Sequence, residues 1–203
     1  DAKSFTHLGF ILRTDLEDSI IKSGICESMI NIAGTGLRWD NEYFYVYFSD
    51  MNEPDRSDRH VAVARAPKDL VIENARQGKI TEWFKYFQGE WNEPGLGGHS
   101  TSIGKLVDYH TTVMYNTYIK KWILINAKGR SIALRRSEDP LNFQVPDEVI
   151  YNIPEGARVA YCSIHPNQED MTTCGKEFYV YYRYWYKVDG KPVYDTHRLK
   201  VSF

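Results

Sequence analysis

Three hairpin-like segments, each opening with a strand that is apolar on both faces, constrain the fold of this chain most. The opening strands are EYFYVYFSD (42–50), KKWILIN (120–126) and KEFYVYYRYWY (176–186). Each is followed by a turn rich in Asp, Asn, Gly or Pro, and then by a strand in 59–70, 130–143 or 196–203 that alternates large and small residues. A strand with two apolar faces is buried on both sides of its sheet. The pattern excludes an isolated surface hairpin and predicts an all-β fold with stacked sheets.

Further strand candidates flank each hairpin and suggest how the strands are ordered. Residues 29–40, 110–116 and 158–166 precede the aromatic strands and are predicted to be their inner neighbours. Residues 82–91 and 147–153 are predicted to be outer, fourth strands. The order inner, aromatic, alternating, outer is that of a four-stranded antiparallel propeller blade. A β-propeller of such blades is therefore the predicted fold, and a β-sandwich, which also buries sheets face to face, is the alternative.

The blade-like units cover about residues 25–92, 99–153 and 158–203 of a single predicted domain, 1–203. A propeller needs at least about four blades to close its ring. Residues 3–14, KSFTHLGFILRT, resemble the outer strand of an earlier blade. We therefore expect the C-terminal part of a larger ring. A ring completed by another chain, or an unusual small arrangement closed by the first strand, are the alternatives.

Charge and motifs exclude several classes of function. A formal net charge of −2 provides no basic field for a phosphate backbone, which disfavours a nucleic-acid partner. No run of 18 apolar residues is present, so no membrane span is predicted. Phosphate-binding glycine loops, a nucleophile elbow and zinc-protease motifs are absent, and no cofactor is expected. The acidic loop 50–60 lacks the spacing of a calcium loop, so a structural or axial calcium ion has no support and no metal site is predicted.

The cysteines leave two readings open. The chain has 3 Cys, with no CxxC motif. Cys162 and Cys174 could close a short loop as a disulfide if the protein is exported, or both could be buried thiols. Helical signals are sparse: residues 69–80 are predicted to form one or two turns ending at Gly78, and residues 15–24 a single turn.

Several motifs resemble those of the five-bladed propeller glycoside hydrolases, the family 43 type and its relatives. GICESMINIAG (24–34) places an acidic residue before an inner strand, and YFYVYFSD and GLGGHSTSI follow it. YNTYIKKWILIN followed by SIALRRSEDPLNF is similar to phrasing common in these propellers. The resemblance covers about residues 20–145. It implies a β-propeller that acts on carbohydrate.

The resemblance also implies a catalytic set. Such enzymes carry a base Asp in the first blade, a second Asp that tunes pKa values, and an acid Glu in the third blade. Glu27 is the candidate for the acid, and nearby apolar residues could raise its pKa by desolvation. The two Asp-bearing blades would lie before residue 1. A solvated loop carboxylate is the alternative for Glu27.

A second group of candidates surrounds the start of an inner strand. His99 follows Gly97 and Gly98, where the backbone can approach a ligand closely, and we expect it to line the central funnel. Asp108, Tyr109 and His110 precede the strand TTVMYN, and His110 is a candidate catalytic residue. A surface loop histidine and a hydrogen-bonded strand cap are the alternatives for these positions.

Three further residues are candidates for substrate binding. Arg158 opens the third inner strand and could bind an acidic sugar with both guanidinium donors, although a salt bridge to a neighbouring blade is the more ordinary role. Trp39, Trp91 and also Tyr109 could stack on the apolar faces of sugar rings. Most of the other aromatic residues are expected to be packing within the blades.

These observations predict a carbohydrate-active protein that hydrolyses glycosidic bonds, with a carbohydrate ligand as its partner. A non-catalytic propeller that binds glycans or protein is one alternative. A polysaccharide lyase is another, in which His110, Tyr109 and Arg158 would abstract a proton and neutralise charge. A secreted or periplasmic location is favoured if the protein acts on glycans.

Overall fold

The computed structural model describes residues 4–15, 36–53, 58–105 and 110–203. The strands within these ranges form sheets of 6, 5 and 3 strands. Nearly all the strand pairs are antiparallel, and one α-helix accompanies them in the described part of the chain. The predicted all-β class is therefore confirmed.

The first sheet is ordered β1-β2-β3-β4-β5, and β6 pairs with the beginning of β3. Its strands are β1 Gly36–Trp39, β2 Tyr43–Asp50, β3 His60–Pro67, β4 Phe84–Phe87, β5 Glu90–Pro94 and β6 Gly104–Lys105. β2 and β3 pair along their whole length, from Tyr43 opposite Pro67 to Asp50 opposite His60. This pairing confirms the first predicted hairpin.

The outer region of the first sheet differs from its prediction. Residues 82–91 were expected to form one strand, and this prediction is wrong because the chain reverses at Gln88 and Gly89. Their φ angles are 50° and 94°, as a two-residue hairpin turn requires, and Phe87 pairs with Glu90 across it. The turn divides the segment into β4 and β5, and with β6 this sheet has two strands more than a four-stranded blade.

The one helix of the described residues, α1, spans Lys68–Arg76 and begins directly after β3. Asp69 lies in its first turn and Arg76 in its last, which places each charge where the helix dipole favours it. The helix has 9 residues and ends shortly before Gly78, whose φ of 71° suits a helix terminus. The predicted turns in 69–80 are therefore confirmed. The turn predicted for 15–24 lies almost wholly outside the described residues.

The prediction of an outer strand at residues 3–14 is wrong. Within 4–15, only Arg13 forms a strand-like bridge, which is parallel and is made to Leu96. The backbone N–H of Arg13 donates to the carbonyl of Gly95 at 2.8 Å. Ile11 and Leu12 pack against the apolar cluster on the outer face of the first sheet. Side-chain packing and this bridge, rather than a ladder of backbone hydrogen bonds, hold the segment in place.

The second sheet is ordered β10-β9-β8-β7-β12. Its strands are β7 Thr112–Asn116, β8 Lys121–Lys128, β9 Ser131–Ser137, β10 Glu148–Asn152 and β12 Thr173–Cys174. The pairing of β8 with β9 confirms the second hairpin, and β10 lies at the predicted outer position. β12 is parallel to β7, although it comes from a loop between two strands of the third sheet.

The third sheet is ordered β11-β13-β14. Its strands are β11 Arg158–Pro166, β13 Glu177–Val188 and β14 Lys191–Ser202. β13 and β14 pair from Glu177 opposite Ser202 to Val188 opposite Lys191, which confirms the third hairpin. Within the described residues this unit has three strands and no fourth.

The three sheets are stacked in series, and the second is buried on both faces. Val63 of the first sheet and Leu124 of the second share one apolar cluster. Ile125, the next residue along β8, points the other way and shares a cluster with Val180 of the third sheet. The apolar character of both faces of β8 is thereby explained. A β-sandwich has two layers, whereas the described residues of this chain form three. Closure of the sheets into a ring stays a prediction.

Candidate functional site

The inner strands of the three sheets lie side by side. A Cβ at Gly36 of β1 would come within 2.7 Å of the carbonyl oxygen of Thr111, so only glycine allows this approach to the start of β7. On the other side, the hydroxyl of Thr112 donates to the carbonyl of Cys162 in β11 at 3.1 Å. β1, β7 and β11 are thereby brought together, and residues at the beginning of β7 meet residues of β11.

His110 lies two residues before the start of β7 and packs against Tyr161 of β11. The two rings form an edge-to-face pair with centroids 4.1 Å apart. His110 is half-buried, and this burial lowers its pKa below the ordinary value of 6.5. A neutral imidazole is therefore favoured at neutral pH, and it can accept a proton.

Tyr161 occupies an unusual backbone conformation. Its φ is 58°, a left-handed value that is costly for a residue with a bulky side chain. The register between β11 and β13 shifts between Ala160 and Ser163, which places Tyr161 in a β-bulge. Bulges re-aim side chains next to functional sites. Here the tyrosine side chain is 47% exposed, although its neighbour Cys162 is buried.

A depression of about 430 Å³ lies on the face of the third sheet that is turned away from the second sheet. Its lining includes Tyr161, Ser163, Tyr181, Arg183, Tyr194 and Thr196. The guanidinium of Arg183 lies 4.0 Å from the ring centroid of Tyr194 and 5.5 Å from that of Tyr161. Its N–H groups form no salt bridge with a carboxylate among the described residues. The depression thus combines flat aromatic surfaces with a positively charged hydrogen-bond donor.

Arg158 and His110 are the predicted site residues that the structure brings near this face. Arg158 is the first residue of β11 and its guanidinium lies 5.3 Å from the ring centroid of Trp185. Trp185 is opposite both Arg158 and Tyr194 in the sheet register. All three therefore lie on the face of the third sheet that is turned away from the second sheet, which we call the open face. Sequence reasoning missed Tyr161 and Arg183. Arg183 could have been recognised as a charged residue inside an aromatic strand. Its side chain lies on the face of the sheet opposite to that of the buried Val180.

His99 is placed at the outer part of the first sheet. Its ring stacks on Phe87 of β4 with centroids 5.6 Å apart, and its Nδ1 lies 3.3 Å from a carboxylate oxygen of Asp15. The His99 N–H donates to the carboxylate of Glu93 at 3.1 Å. His99 therefore lies beside β4 and β5 of the first sheet. The expectation that His99 lines a central funnel stays a prediction.

The glycines before His99 shape a tight loop. A Cβ at Gly98 would lie 2.6 Å from the carbonyl oxygen of Pro94, so this position requires glycine. Gly97 has a φ of 96°, which L side chains rarely adopt. The loop is therefore compact and turns back on β5.

Trp39 and Trp91 are separated from the depression. Trp39 ends β1 and lines a second depression of about 380 Å³, together with Arg38, Tyr115 and Trp122. Tyr115 lies near the end of β7, whereas His110 precedes its beginning, so Trp39 and His110 lie at opposite ends of the inner strands. Trp91 belongs to β5, far along the sheet order, and packs against Tyr45 and Tyr86.

Three predicted site residues, Glu27, Asp108 and Tyr109, lie outside the described residues. In the part of the chain that the structure describes, no group of three or more His, Cys, Asp and Glu side chains is arranged to hold a metal ion. Among the same residues, no helix has the length and apolar character needed to cross a membrane. Cys162 and Cys174 are both buried and are not joined by a disulfide.

A buried polar network, which the sequence did not predict, joins the loop of His99 to the strands. The ammonium of Lys85 lies 2.9 Å from Oδ2 of Asp50, and both side chains are almost fully buried. The hydroxyl of Ser100 donates to the same Asp50 oxygen at 2.8 Å and lies 2.9 Å from Nε2 of His60. Lys85 also donates to the carbonyl of Gly98. The network fixes the loop of His99 to β2, β3 and β4.

Comparison with known proteins gives distant structural likenesses. No protein-family model matches the chain, and no curated protein matches it. A "putative hydrolase" from Bacteroides ovatus ATCC 8483 is similar with a TM-score of 0.48 and 19% identity over 75% of this chain and 39% of that one. The catalytic domain of a GH62 α-L-arabinofuranosidase from Coprinopsis cinerea is similar with a TM-score of 0.46 and 12% identity, over 90% of this chain and 57% of that one.

The chain therefore spans less than two thirds of the length of either solved structure. Both likenesses are too distant to assign the chain to a family.

Proposed function

We propose that this protein is carbohydrate-active and that it binds an oligosaccharide or polysaccharide in the depression on the third sheet. The observation that carries the proposal is the lining of this depression, in which Tyr161, Tyr181 and Tyr194 surround Arg183 beside the half-buried His110. Tyrosine rings offer flat surfaces for the apolar faces of sugars, and their hydroxyl groups bond to sugar hydroxyls.

The dimensions of the depression support this ligand class. Its volume of about 430 Å³ falls within the range of sites for small ligands, about 300–1,000 Å³. The depression opens along the sheet surface, and Tyr194 at its wall is 53% exposed. A polymer can lie across such a surface with only a few of its sugar units in contact.

The proposed reaction is hydrolysis of a glycosidic bond. It needs two carboxyl groups, one that protonates the leaving oxygen and one that activates water or attacks the sugar. Glu27 remains the proposed acid, on the strength of the sequence resemblance. Asp195 is the one carboxylate among the described lining residues of the depression. The propeller arrangement that would bring Glu27 to the same cavity is part of this proposal.

The test combines binding with product analysis. The protein is incubated with a panel of polysaccharides, and both binding and the release of reducing ends are measured. We expect Glu27→Gln to abolish hydrolysis and to leave binding and thermal stability unchanged. Full turnover by this variant would remove Glu27 from the mechanism. Binding without any product, in the unaltered protein, would favour a non-catalytic glycan-binding role.

The contact between His110 and Tyr161 favours a polysaccharide lyase as a second candidate. In this reaction a base removes the proton next to the carboxylate of a uronate, and that C–H bond and the C–O bond to the leaving sugar both break. A C=C bond forms, and the leaving oxygen takes up a proton from an acid. The neutral His110 is suited to be the base, Tyr161 the acid and Arg183 the group that neutralises the carboxylate.

The two reactions differ in their products. A lyase product carries an unsaturated sugar that absorbs ultraviolet light, whereas a hydrolysis product does not. A rise in ultraviolet absorbance that is lost in His110→Gln would support the lyase. Reducing ends without this absorbance would support the hydrolase.

A further inference from the structure

The open face of the third sheet carries three arginines along a diagonal line. Arg158 on β11 is opposite Trp185, Arg183 on β13 is opposite Thr196, and Arg198 on β14 is opposite Tyr181. Each strand contributes one arginine, and each step moves two residues along the sheet. Diagonal neighbours of this kind lie roughly 7–8 Å apart. The three side chains therefore form a regular row across the whole sheet, and we call it the arginine row.

Each guanidinium of the arginine row is stacked on an aromatic ring. Arg158 lies 5.3 Å from the centroid of Trp185, Arg183 4.0 Å from that of Tyr194, and Arg198 4.5 Å from that of Tyr179. The rings hold the guanidinium groups in place, and the N–H donors at their edges are left for another partner. Preorganised donors lose less entropy when they bind a ligand.

The arginine row has no ionic partner among the described residues. Other arginines of this chain do: Arg135 pairs with Asp147 at 2.8 Å and Arg136 with Glu148 at 2.6 Å. On the open face, the carboxylate of Glu177 is taken by Lys200 at 2.9 Å.

The remaining groups do not cancel the charge of the row. His165, on the same face, packs against Tyr181. Asp195, at the depression, makes no ion pair with the row. This face is therefore positive, although the formal net charge of the whole chain is −2.

We infer that the arginine row binds a linear anionic polysaccharide, one that carries carboxylate or sulfate groups at regular intervals. The inference rests on the proposed function and names the class of its ligand. Guanidinium groups bind carboxylate and sulfate oxygens with two parallel hydrogen bonds, while the neighbouring rings contact the sugars. A row of three positive groups suits repeated negative charges along a polymer better than a single small anion.

The experiment compares polymers that differ in charge, in acidic group and in backbone. Affinities are measured for polygalacturonate, for the same polymer with its carboxyl groups reduced to alcohols, for a sulfated glycan and for polyglutamate. We expect the two anionic glycans to bind, the reduced polymer to bind at least about tenfold more weakly, and the affinity to fall as salt is raised. The stronger of the two anionic glycans identifies the acidic group.

Substitutions in the arginine row test whether the polysaccharide binds there. Arg183→Gln and Arg198→Gln are each expected to weaken binding about tenfold, and the double variant about a hundredfold. Arg76→Gln, an equal change of charge on the exposed helix α1, is the matched control and is expected to have no effect. Circular dichroism melting verifies that the variants are folded, which is expected because the substituted side chains are not in the apolar core.

The outcomes separate this inference from the proposed function. Equal binding of the neutral and anionic glycans, with no effect of the arginine variants, overturns the arginine row and leaves the proposed function standing. Failure of every glycan to bind overturns both. Tighter binding of polyglutamate than of either anionic glycan overturns the assignment of the row to a polysaccharide.

Discussion

The ring of His110 meets the ring of Tyr161 edge to face, with centroids 4.1 Å apart. The contact joins the start of the inner strand of the second sheet to a β-bulge in the inner strand of the third. A half-buried imidazole is thus placed beside an exposed tyrosine that lines the depression.

Two substitutions of Tyr161 distinguish the contribution of its ring to binding from the contribution of its backbone strain to stability. A left-handed conformation costs an L residue about 1–2 kcal/mol, and glycine adopts it freely. Because its φ is 58° in this structure, we expect Tyr161→Gly to be about 1 kcal/mol more stable than Tyr161→Ala. Both variants are expected to bind carbohydrate at least about tenfold more weakly, since both remove the stacking surface. Denaturant titration and binding assays measure the two effects.

The control for Tyr161 is Tyr118→Ala, which removes an exposed tyrosine remote from the depression and is expected to leave binding unchanged. Tyr161→Phe keeps the ring and is expected to retain most of the affinity. If Tyr161→Gly binds carbohydrate as well as the unaltered protein does, the ring has no part in the site.

The pH dependence of stability is expected to include a contribution from His110. Burial lowers the pKa of His110 in the folded protein below its ordinary value of 6.5, so the unfolded chain binds more protons in the interval between the two values. The free energy of unfolding therefore rises with pH through this interval and decreases as the pH falls below about 6.5. In His110→Gln, this part of the decrease should be absent.

Thermal unfolding at a series of pH values from neutral to mildly acidic measures the His110 effect. His7→Gln, which replaces an exposed histidine, is the control and is expected to follow the unaltered protein. Identical pH profiles for His110→Gln and the unaltered protein would show that His110 makes no contribution to the pH dependence of stability.

The ion pair of Lys85 and Asp50 is expected to be far more important for stability than an exposed pair. Lys85→Met leaves the carboxylate of Asp50 buried without its counter-ion, a change that costs about 3–5 kcal/mol in buried pairs. Lys121→Met breaks a pair of nearly the same length, 3.0 Å to Glu138, but at the surface, where the cost is below about 1 kcal/mol. Urea unfolding of both variants gives the comparison.

A double variant completes this test. Adding Asp50→Asn to Lys85→Met removes the uncompensated charge, so the double variant is expected to lose less stability than the sum of the two single variants. Equal losses for Lys85→Met and Lys121→Met would mean that the buried pair has no special energetic role.

The thiols of Cys162 and Cys174 are expected to be unreactive in the folded protein. Burial raises the pKa of Cys174 to about 12 from an ordinary value of 9.0, which lowers its thiolate fraction about a thousandfold. In a Cys26→Ser background, a thiol reagent should modify neither cysteine until denaturant is added, and then both. Immediate modification would contradict their burial, and a failure to react even after unfolding would indicate a disulfide.

The strand order was predictable because the hairpins depend on local pattern. In β8, Leu124 and Ile125 are both apolar since each faces another sheet, and this two-sided burial is visible in the sequence. The division of residues 82–91 was missed, although Gln88-Gly89 has a sequence suited to a two-residue hairpin turn. The aromatic residues on both sides of this turn led to the prediction of one continuous strand.

The candidate site was harder to predict because tertiary structure creates it. Tyr161 is aimed at the depression by a bulge, and nothing in the residues around it indicates a positive φ. Lys85 lies in an aromatic segment, and its ammonium donates a hydrogen bond in the core to the carboxylate of Asp50, 35 positions away. His99 follows a glycine pair that turns back on β5 and does not extend inward. Such contacts between distant residues have no short-range signal.

The short strand β12 has a further consequence for the molecule. It leaves the loop between β11 and β13 to pair with β7, and Asn116 donates to the carbonyl of Gly175 beside it. The second sheet is thus paired with a segment whose two ends continue into strands of the third sheet. Separation of these two sheets requires the pairing of β12 with β7 to break, so we expect the sheets to unfold in one cooperative transition. A glycan held on the outermost layer would then protect the interior layer from unfolding as well.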